Sequence, residues 1–355
     1  MNATWECIVV GGGAAGLSAA LVLGRARRRT LVIDAGAPSN RVSHGIGGLL
    51  GHDTKKPADF YAEARANVAA YPSVELRSGS VTAAERNGGP AGEARDRIGP
   101  DGAAPHGTAE ASGETFAVTL ADGTRETTRT VLLATGMDYR RPDVPGLEPL
   151  WGGSVFHCPF CHGWEHAGHP LGVLDRGDMG VHRVQLLRAW SDDVTLLTDG
   201  PDELDDAQRE DLEARGVTID RRPVVALEAA AGDDHDGGAT GSADGHGDEP
   251  NTPGPALSAV RFADGTTRPL HGLLIPVTLH QRSTLATQLG VDFAPESPLS
   301  PETIAVDPMG ATSVPGVFSA GDASVSMPSV ANAIAAGGAA AAGVVRELVV
   351  LNPRA

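Results

Sequence analysis

The sequence is poor in cysteine, in basic residues and in long apolar runs. Three cysteines in 355 residues are too few for the disulfide framework of a small secreted protein. Lysine and arginine number 28 against 45 acidic residues, a net charge of −17, which disfavours binding to nucleic acid or to an anionic membrane. The longest apolar stretch, near residues 335–345, has about half of the roughly 20 residues that span a bilayer.

The N-terminal segment MNATWECIVVGGG lacks the basic and apolar regions of a secretory signal peptide. We therefore expect a cytoplasmic protein with no membrane or nucleic-acid partner. Hydrophobic residues make up 41% of the chain, which is enough to form the cores of two or three domains and excludes a wholly disordered chain.

The first motif is a glycine-rich turn between two predicted strands. Residues 7–10 predict a strand, residues 17–25 a helix and residues 30–34 a second strand, the order of a β-α-β unit. Gly11, Gly13 and Gly16 have the GxGxxG spacing, and Asp34 ends the second strand. Such glycines let backbone N–H groups approach a pyrophosphate, and the acid binds a ribose hydroxyl. The pattern predicts a dinucleotide site and does not by itself separate FAD from NAD.

Two later segments favour FAD. Residues 131–136 predict a strand that ends in the turn Ala134-Thr135-Gly136, and residues 316–320 predict a strand that runs into Gly321-Asp322. An acid at that position could hold a ribityl or phosphate group. A helix rich in small residues is predicted over residues 329–351, and its N-terminal dipole would point at the flavin.

A second β-α-β pattern lies inside the sequence of the first. Residues 172–174 and 194–197 predict strands, and about residues 181–190 predict the helix between them. We therefore predict an α/β protein with two Rossmann-like dinucleotide-binding domains, the second inserted in the first. The predicted boundaries are 1–148 and 278–355 for the first domain and 149–277 for the second. Asn87–Glu114 and Ala231–Pro255 are rich in small and polar residues, and we expect both to be mobile loops.

Cys158 and Cys161 form a CxxC pair in the second domain. This spacing suits a redox-active disulfide, a zinc site or, because His162 follows, the CxxCH pattern of c-type haem attachment. His157, His166 and His169 add further possible zinc ligands. The dinucleotide folds and the missing export signal argue against haem, and the residues themselves leave a redox pair and a zinc site open. Cys7, in the apolar first strand, is expected to be a buried packing residue.

Four motifs resemble those of the low-molecular-weight thioredoxin reductases, a branch of the flavoprotein disulfide reductases. They are the glycine motif, the Ala-Thr-Gly turn, the CxxC pair and the final Gly-Asp. The resemblance covers most of the chain outside the two predicted loops. It implies that Cys158 and Cys161 form a redox-active disulfide and bind no metal. It further implies a homodimer in which Cys161 faces the flavin and Cys158 exchanges with the substrate, while His162 replaces an acid and shuttles protons. It also implies FAD contacts from Gly11, Gly13, Ala14, Ala15, Gly16, Asp34, Asn40, Arg41, His44, Ala134, Thr135, Gly136, Gly321, Asp322, Ser329 and Val330.

The second β-α-β unit departs from the reductase pattern where NADPH would bind. Asp175 stands at the first glycine position of the expected GxGxxA motif, and Asp199 follows the next strand where reductases carry basic residues. Acids there repel a phosphate, so we predict that the nicotinamide site has been lost. The alternative is an atypical NADH site that uses Arg176 or Arg183.

A flavin and a thiol pair without a nicotinamide site resemble the small-molecule dithiol oxidases of the gliotoxin and holomycin type. The stretch CPFCHGWE is closer to that group than to thioredoxin reductases. The resemblance implies antibiotic biosynthesis in which a dithiol, with a holomycin-like dithiolopyrrolone preferred, becomes an intramolecular disulfide while O2 becomes H2O2. The alternatives are a reductase fed by NAD(P)H or ferredoxin, and a regulatory protein that senses redox state through flavin or zinc.

Overall fold

The computed structural model describes residues 5–87, 115–230, 255–325 and 327–351. Its strands are β1 (Trp5–Val10), β2 (Thr30–Asp34), β3 (Val74–Ser78), β4 (Val81–Asn87), β5 (Thr115–Leu120), β6 (Arg125–Leu133), β7 (Met137–Arg140), β8 (Val155–Phe156), β9 (Leu171–Leu174), β10 (Val194–Leu197), β11 (Thr218–Asp220), β12 (Val224–Ala229), β13 (Leu257–Phe262), β14 (Thr267–Pro269), β15 (Gly272–Leu274), β16 (Thr278–Gln281) and β17 (Val317–Ser319). Its α-helices are α1 (Ala14–Arg25), α2 (Pro57–Ala69), α3 (Pro159–His162), α4 (Gly177–Leu187), α5 (Asp206–Ala214), α6 (Leu285–Leu289) and α7 (Val330–Arg346).

Contacts within the chain divide it into two units, and the first is built on a seven-stranded sheet. It contains the described residues of 1–41, 58–140 and 278–355. The strand order is β3-β2-β1-β6-β5-β4, with β17 pairing in parallel with β6. β1 lies between β2 and β6, both parallel to it, which is why its apolar residues are buried. The helices α1 and α7 pack together, and the Ser18 hydroxyl donates to the Ile334 carbonyl oxygen at 2.7 Å.

The second unit contains a five-stranded parallel sheet and a small antiparallel one. It contains the described residues of 42–57 and 141–277. The parallel sheet has the order β11-β10-β9-β15-β8, and the antiparallel sheet has the order β12-β13-β14. Buried leucines and Phe262 join the two sheets in one apolar cluster, and Leu147 and Leu150 belong to that cluster.

The predicted α/β class with two parallel β-α-β units, one within the sequence of the other, is confirmed. The division by contacts differs from the predicted boundaries at residues 42–57 and 141–148, which belong to the second unit. For 141–148 the reason is packing: Leu147 is 3% exposed within the apolar cluster of that unit.

Several element ends differ from the sequence predictions. The predicted helix over 181–190 is α4 over Gly177–Leu187, and the predicted helix over 17–25 begins earlier, at Ala14. Both helices start within their glycine-containing turns, where sequence periodicity gives no signal. The predicted loops Asn87–Glu114 and Ala231–Pro255 lie outside the described residues, apart from Asn87 and Pro255. Within the described ranges, no helix is both apolar enough and long enough to cross a bilayer.

Candidate active site

The glycine turn of the first unit is closely packed on one side and open on the other. Gly11 has a φ of +107°, and a side chain there would overlap the carbonyl oxygen of Ala134. Gly16 lies against the carbonyl oxygen of Gly11 in the same way. At Gly13, in contrast, an added Cβ would meet nothing within 4 Å. Gly13 is the N-cap of α1 and provides no side-chain cap, so the helix N-terminus beside it can receive an anion.

Asp34 organises the same turn. Its Oδ1 accepts hydrogen bonds from the backbone N–H groups of Gly12 at 3.0 Å and Gly36 at 3.1 Å. Its Oδ2 forms an ion pair with Arg65 of α2. Asp34 therefore lies at the end of β2 as predicted, and Arg65 is a neighbour that the sequence did not indicate.

The later predicted segments reach the same place. The N–H of Ala134 bonds to Val10 in β1, and the N–H of Ala320 bonds to Leu133 in β6. Gly321 has a φ of +80°, and a Cβ there would lie 2.8 Å from the Cβ of Ala15. The structure thus brings together the glycine turn, the Ala134-Thr135-Gly136 turn and the Gly321-Asp322 turn.

Asp322 is a largely buried acid beside these turns. Burial raises the pKa of Asp322, although a hydrogen bond from Tyr139, at 3.0 Å to its Oδ2, acts in the opposite direction. A ligand hydroxyl that donates to this carboxylate would stabilise it further. Tyr139 is a second neighbour that sequence reasoning missed.

The remaining predicted cofactor residues are divided between the two units: His44 belongs to the second unit and the others to the first. Ser329 is the N-cap of α7, where its side chain accepts from the Asn332 N–H at 3.1 Å, and Val330 is the first residue of that helix. Asn40 accepts a hydrogen bond from the Tyr61 hydroxyl at 2.9 Å, and Arg41 is exposed. His44 belongs to the second unit, where it lies close to Gly153.

The CxxC pair lies at the start of α3 in the second unit. Cys158 is the N-cap of this helix and Cys161 is in its last turn. Both are free thiols, and their Sγ atoms are 2.8 Å apart. The segment 42–57 supports this turn, because a side chain at Gly47 would overlap the Cys161 carbonyl oxygen. The two sulfur atoms are therefore close enough to form a disulfide when an oxidant removes two electrons from the pair.

The two thiols differ in acidity. A hydrogen bond from the Cys161 thiol, helped by the backbone N–H groups of Cys161 and Phe160, lowers the pKa of Cys158 to about 7. The same contact, together with burial, raises the pKa of Cys161. The reduced pair therefore carries its negative charge on Cys158, at the N-terminus of α3. Cys7 is fully buried, as predicted, and burial raises its pKa to about 12.

His162 is held beside the pair by a stack and a hydrogen bond. Its ring stacks on Phe156, with centroids 5.7 Å apart, and its Nε2 lies 3.0 Å from the Ser43 hydroxyl. Burial lowers the pKa of His162, and the charge of His44 lowers it further. The neutral imidazole is therefore the stable form at neutral pH, which suits a proton acceptor better than a fixed cation.

Two large aromatic side chains close to the pair in the sequence are exposed at the surface. Phe160, between the cysteines, is 64% exposed, and Trp164 is 80% exposed. The Phe160 ring contacts the Trp190 ring edge-on, with centroids 5.5 Å apart. We call Phe160, Trp164 and Trp190 the aromatic border.

Three other histidines of the second unit, His166, His169 and His271, contact one another. Nδ1 of His166 lies 2.9 Å from Nδ1 of His271, and the His271 ring stacks on His169 at 4.1 Å. The ring of His157 stacks on Trp151. In the part of the chain that the structure describes, no group of three or more His, Cys, Asp or Glu side chains has an arrangement that could hold a metal ion.

Acidic side chains lie at the N-terminal end of α4 and after β10, where the sequence analysis expected a second dinucleotide site. Asp175 accepts from the Arg176 N–H at 2.9 Å and forms an ion pair with Arg183. Asp199, with a φ of +51°, accepts from the Val224 N–H at 2.8 Å. The Asp175 carboxylate, in its ion pair with Arg183, therefore occupies the helix N-terminus that a pyrophosphate would need.

The nearby arginines pair with acids of the same unit. Arg176 lies 3.5 Å from Glu203. The remaining pairs are Arg183 with Asp175, and both Arg209 and Arg221 with Asp202. These residues do not fit a nicotinamide nucleotide, because the cations that would bind its phosphates are neutralised.

Comparison with known proteins identifies the family. The model of the pyridine nucleotide-disulphide oxidoreductases matches residues 5–337. The chain belongs to this family. Its similarity to thioredoxin reductases supports a redox enzyme.

Individual members of the family match over nearly the whole chain. Thioredoxin reductase tcpT of Claviceps purpurea is 29% identical over 340 residues, which cover 94% of this chain and 90% of that protein. The crystal structure of HlmI is 32% identical, with a TM-score of 0.80 over 99% of this chain and 95% of HlmI. An oxidoreductase from Agrobacterium tumefaciens is also 32% identical, with a TM-score of 0.78 over 97% of this chain and 98% of its own.

Proposed function

We propose that the protein is an FAD-dependent oxidase that converts a small-molecule dithiol into an intramolecular disulfide and O2 into H2O2. One observation supports this direction of electron flow above all others. The second unit retains a CxxC pair with one acidic thiol, while Asp175 and its ion pair with Arg183 occupy the end of α4 where a nicotinamide donor would bind. Electrons then have to enter from a thiol substrate.

The acidity of Cys158 supports its role in exchange with the substrate. In the oxidised pair, a substrate thiolate attacks Cys158, forming a mixed disulfide and releasing Cys161, which takes up one of the two substrate protons and becomes a thiol because its pKa is raised. The second substrate thiol then attacks the substrate sulfur of that bond, which releases Cys158 and closes the product disulfide. A thiol of lower pKa leaves faster, and the pKa of Cys158 is about 7. The pair is left reduced by two electrons.

His162 would accept the protons that these steps release. Attack requires a thiolate, so each substrate thiol must lose its proton first. A neutral imidazole in the same short helix as Cys161 can take that proton near neutral pH.

The first unit has the features that an FAD site requires. The open space at Gly13 leaves room for a pyrophosphate at the N-terminus of α1, and Asp34 and Asp322 provide carboxylates for hydroxyl groups. FAD bound there would supply a two-electron acceptor that O2 can reoxidise. Arg65 and Tyr139 would hold the two carboxylates in place.

The aromatic border favours a small apolar substrate over a charged one. Phe160 and Trp164 lie within three residues of Cys161 in the sequence and both are exposed, and exposed aromatic faces bind planar apolar groups. With the resemblance to dithiol oxidases of natural-product pathways, this favours a compact heterocyclic dithiol, and a dithiolopyrrolone remains our preferred substrate. A homodimer in the cytoplasm is proposed from the same resemblance.

The proposal is tested by mixing the anaerobic, FAD-loaded protein with NADPH or with dithiothreitol while the visible absorbance of the flavin is followed. We expect dithiothreitol to bleach the flavin, air to restore its colour with formation of H2O2, and NADPH to have no effect. Rapid bleaching by NADPH would instead identify a reductase. Bleaching only by reduced ferredoxin would identify a ferredoxin-dependent reductase.

A further inference from the structure

One hydrogen bond joins the two ends of the segment 42–57. The segment belongs to the second unit, whereas the chain on either side of it belongs to the first. Asn40 lies just before the segment, and Tyr61 of α2 lies just after it. The Tyr61 hydroxyl donates to Oδ1 of Asn40 at 2.9 Å, so the chain leaves the first unit and returns to it at one bonded point.

This bond lies among the charged groups of the proposed FAD site. Tyr61 is 8% exposed, and burial raises its pKa to about 12. The charge of Asp322 raises this pKa as well, and the charges of Arg65 and Asp34 act on it in opposite directions. The phenol is therefore close to both carboxylates that we assign to the cofactor, and its bond to Asn40 belongs to the same group of side chains.

The loop that leads from β2 to the segment is held by other parts of the first unit. An added Cβ at Gly136 would lie 3.7 Å from the Ser39 hydroxyl, and Arg282 donates to the carbonyl oxygen of Ala37 at 2.6 Å. Tyr61 extends this support to the end of the loop at Asn40. A cofactor bound beside the glycine turns would therefore meet a wall that is already in place.

The segment itself supports the redox turn of the second unit. A side chain at Gly47 would overlap the Cys161 carbonyl oxygen, and one at Gly45 would lie 2.7 Å from the carbonyl oxygen of Thr54. The segment is therefore folded back on itself and packed closely against the turn that carries the cysteines. Separation of its ends would loosen this packing.

We propose that Tyr61 is a positioning residue that, through Asn40, ties the segment 42–57 to the FAD site, so that bound FAD reduces the opening of the segment that supports Cys161. This inference rests on the proposed FAD cofactor and not on the proposed direction of electron flow. Its physical basis is linkage. A ligand that contacts Asn40 only while the ends of the segment are joined stabilises the closed state over the open one.

Lysyl endopeptidase reports on the segment at a single bond. The two lysines of the chain are Lys55 and Lys56, and Pro57 blocks cleavage after the second. The carbonyl group between the two lysines accepts from the Ile46 N–H at 2.9 Å, so cleavage requires the segment to open. At low protease concentration the cleavage rate follows the equilibrium population of the open state.

FAD at about ten times its Kd should slow cleavage of the wild-type protein about 10-fold, the limit for a ligand that binds only the closed state. The apoprotein of Tyr61→Phe should be cleaved about 5-fold faster than that of the wild type, the effect of one lost hydrogen bond. Asn40→Ala should match it, and the double variant should add nothing further, because both changes act through one bond. A general loss of packing by α2 would instead add to the effect of Asn40→Ala.

Tyr71→Phe is the matched control. The Tyr71 hydroxyl, just after α2, accepts a hydrogen bond from Arg25 at 3.0 Å, and its removal should leave the cleavage rate unchanged. Low concentrations of urea should also change the rate little, because local opening exposes little surface. A strong urea dependence, a Tyr61→Phe apoprotein cleaved at the wild-type rate, or bound FAD without protection would overturn the role of Tyr61. If the wild-type protein binds no FAD, the proposed cofactor is wrong, and the apoprotein rates still decide whether the bond closes the segment.

Discussion

At the residue scale, the site depends on the difference between two cysteines of the same motif. Cys158 is at the N-terminus of α3 and accepts hydrogen bonds, which favour its thiolate. Cys161 donates one, and burial and the charges of Cys158 and Glu165 disfavour its thiolate. The sequence indicated the pair but not which thiol would be the acidic one. That depends on the orientation of the Cys161 S–H and of two backbone N–H groups, which the spacing of the motif does not determine.

The reduced protein should alkylate first at Cys158, with a rate that follows its ionisation. The pKa of Cys158 is lowered to about 7, so iodoacetamide should reach half its maximal rate near that pH, and the rate should fall at lower pH as the thiolate is protonated. In Cys161→Ala the main stabilising hydrogen bond is lost, and the midpoint should move to higher pH. Peptide mass spectrometry at each pH identifies the modified cysteine, and an unchanged midpoint in Cys161→Ala would contradict this account.

Replacing either cysteine of the pair should stop turnover without loss of the cofactor. We expect Cys158→Ser and Cys161→Ser to lower the rate of dithiol-dependent O2 consumption at least about 10³-fold, because neither variant can form the internal disulfide. The visible spectrum should still show bound flavin. Cys7→Ala, which removes a buried thiol from β1, is the control and should keep turnover close to that of the wild-type protein.

At the element scale, the strands next to the sites were predictable because their signals are local. β2 and β10 have the predicted bounds, since each is a short buried apolar run that ends at polar residues. The helix starts were missed because they lie inside glycine turns. The bond between Ser43 and His162 joins residues 119 positions apart, and no local pattern could have indicated it.

Two glycines of the first turn should respond differently to alanine. Gly13→Ala should fold normally, because its φ of −78° suits alanine and its Cβ would meet no protein atom within 4 Å. Its methyl group would occupy ligand space, so we expect the Kd for FAD to rise about 10-fold, or about 1.4 kcal/mol. Gly11→Ala should instead lower the melting temperature of the apoprotein, because its Cβ overlaps the Ala134 carbonyl oxygen.

Gly338→Ala serves as the control for both variants. Gly338 is inside α7, and the nearest atom to an added Cβ is the Ser18 Oγ at 3.8 Å. Alanine in a helix interior is favourable by about 0.5–1 kcal/mol, so this variant should be slightly more stable and bind FAD normally. Isothermal titration with FAD and thermal melting of the apoprotein separate the three cases. Normal FAD affinity in Gly13→Ala would show that the cofactor does not pass this turn.

At the scale of the whole molecule, the proposed exclusion of nicotinamide donors depends on acidic charge. The chain carries a net charge of −17, and in the second unit the acids neutralise the arginines on which a phosphate would depend. The sequence indicated Asp175 and Asp199 as obstacles. It could not show that Arg183, one of the cations that might have compensated, would pair with Asp175 itself.

Removing Asp175 should therefore restore some affinity for nicotinamide nucleotides. In Asp175→Gly, Arg183 is released and the N-terminus of α4 loses its negative charge. We expect calorimetry to detect NADP⁺ binding at least about 10-fold tighter than in the wild-type protein, a gain of about 1.4 kcal/mol. Asp192→Asn, which removes an exposed acid ahead of β10, should give no such gain. Equal binding by all three proteins would show that this charge is not what excludes the nucleotide.

The packing of α7 against α1 has a consequence for the order in which the chain folds during synthesis. Gly337 lies against the backbone of Ala15, and β17 pairs with β6, so the first unit is completed by elements that are synthesised after those of the second unit. The strands of the second unit have all been synthesised by residue 277. Domains fold as units while synthesis continues. The nascent chain therefore passes through a stage in which Cys158 and Cys161 can be folded before the proposed FAD site is complete.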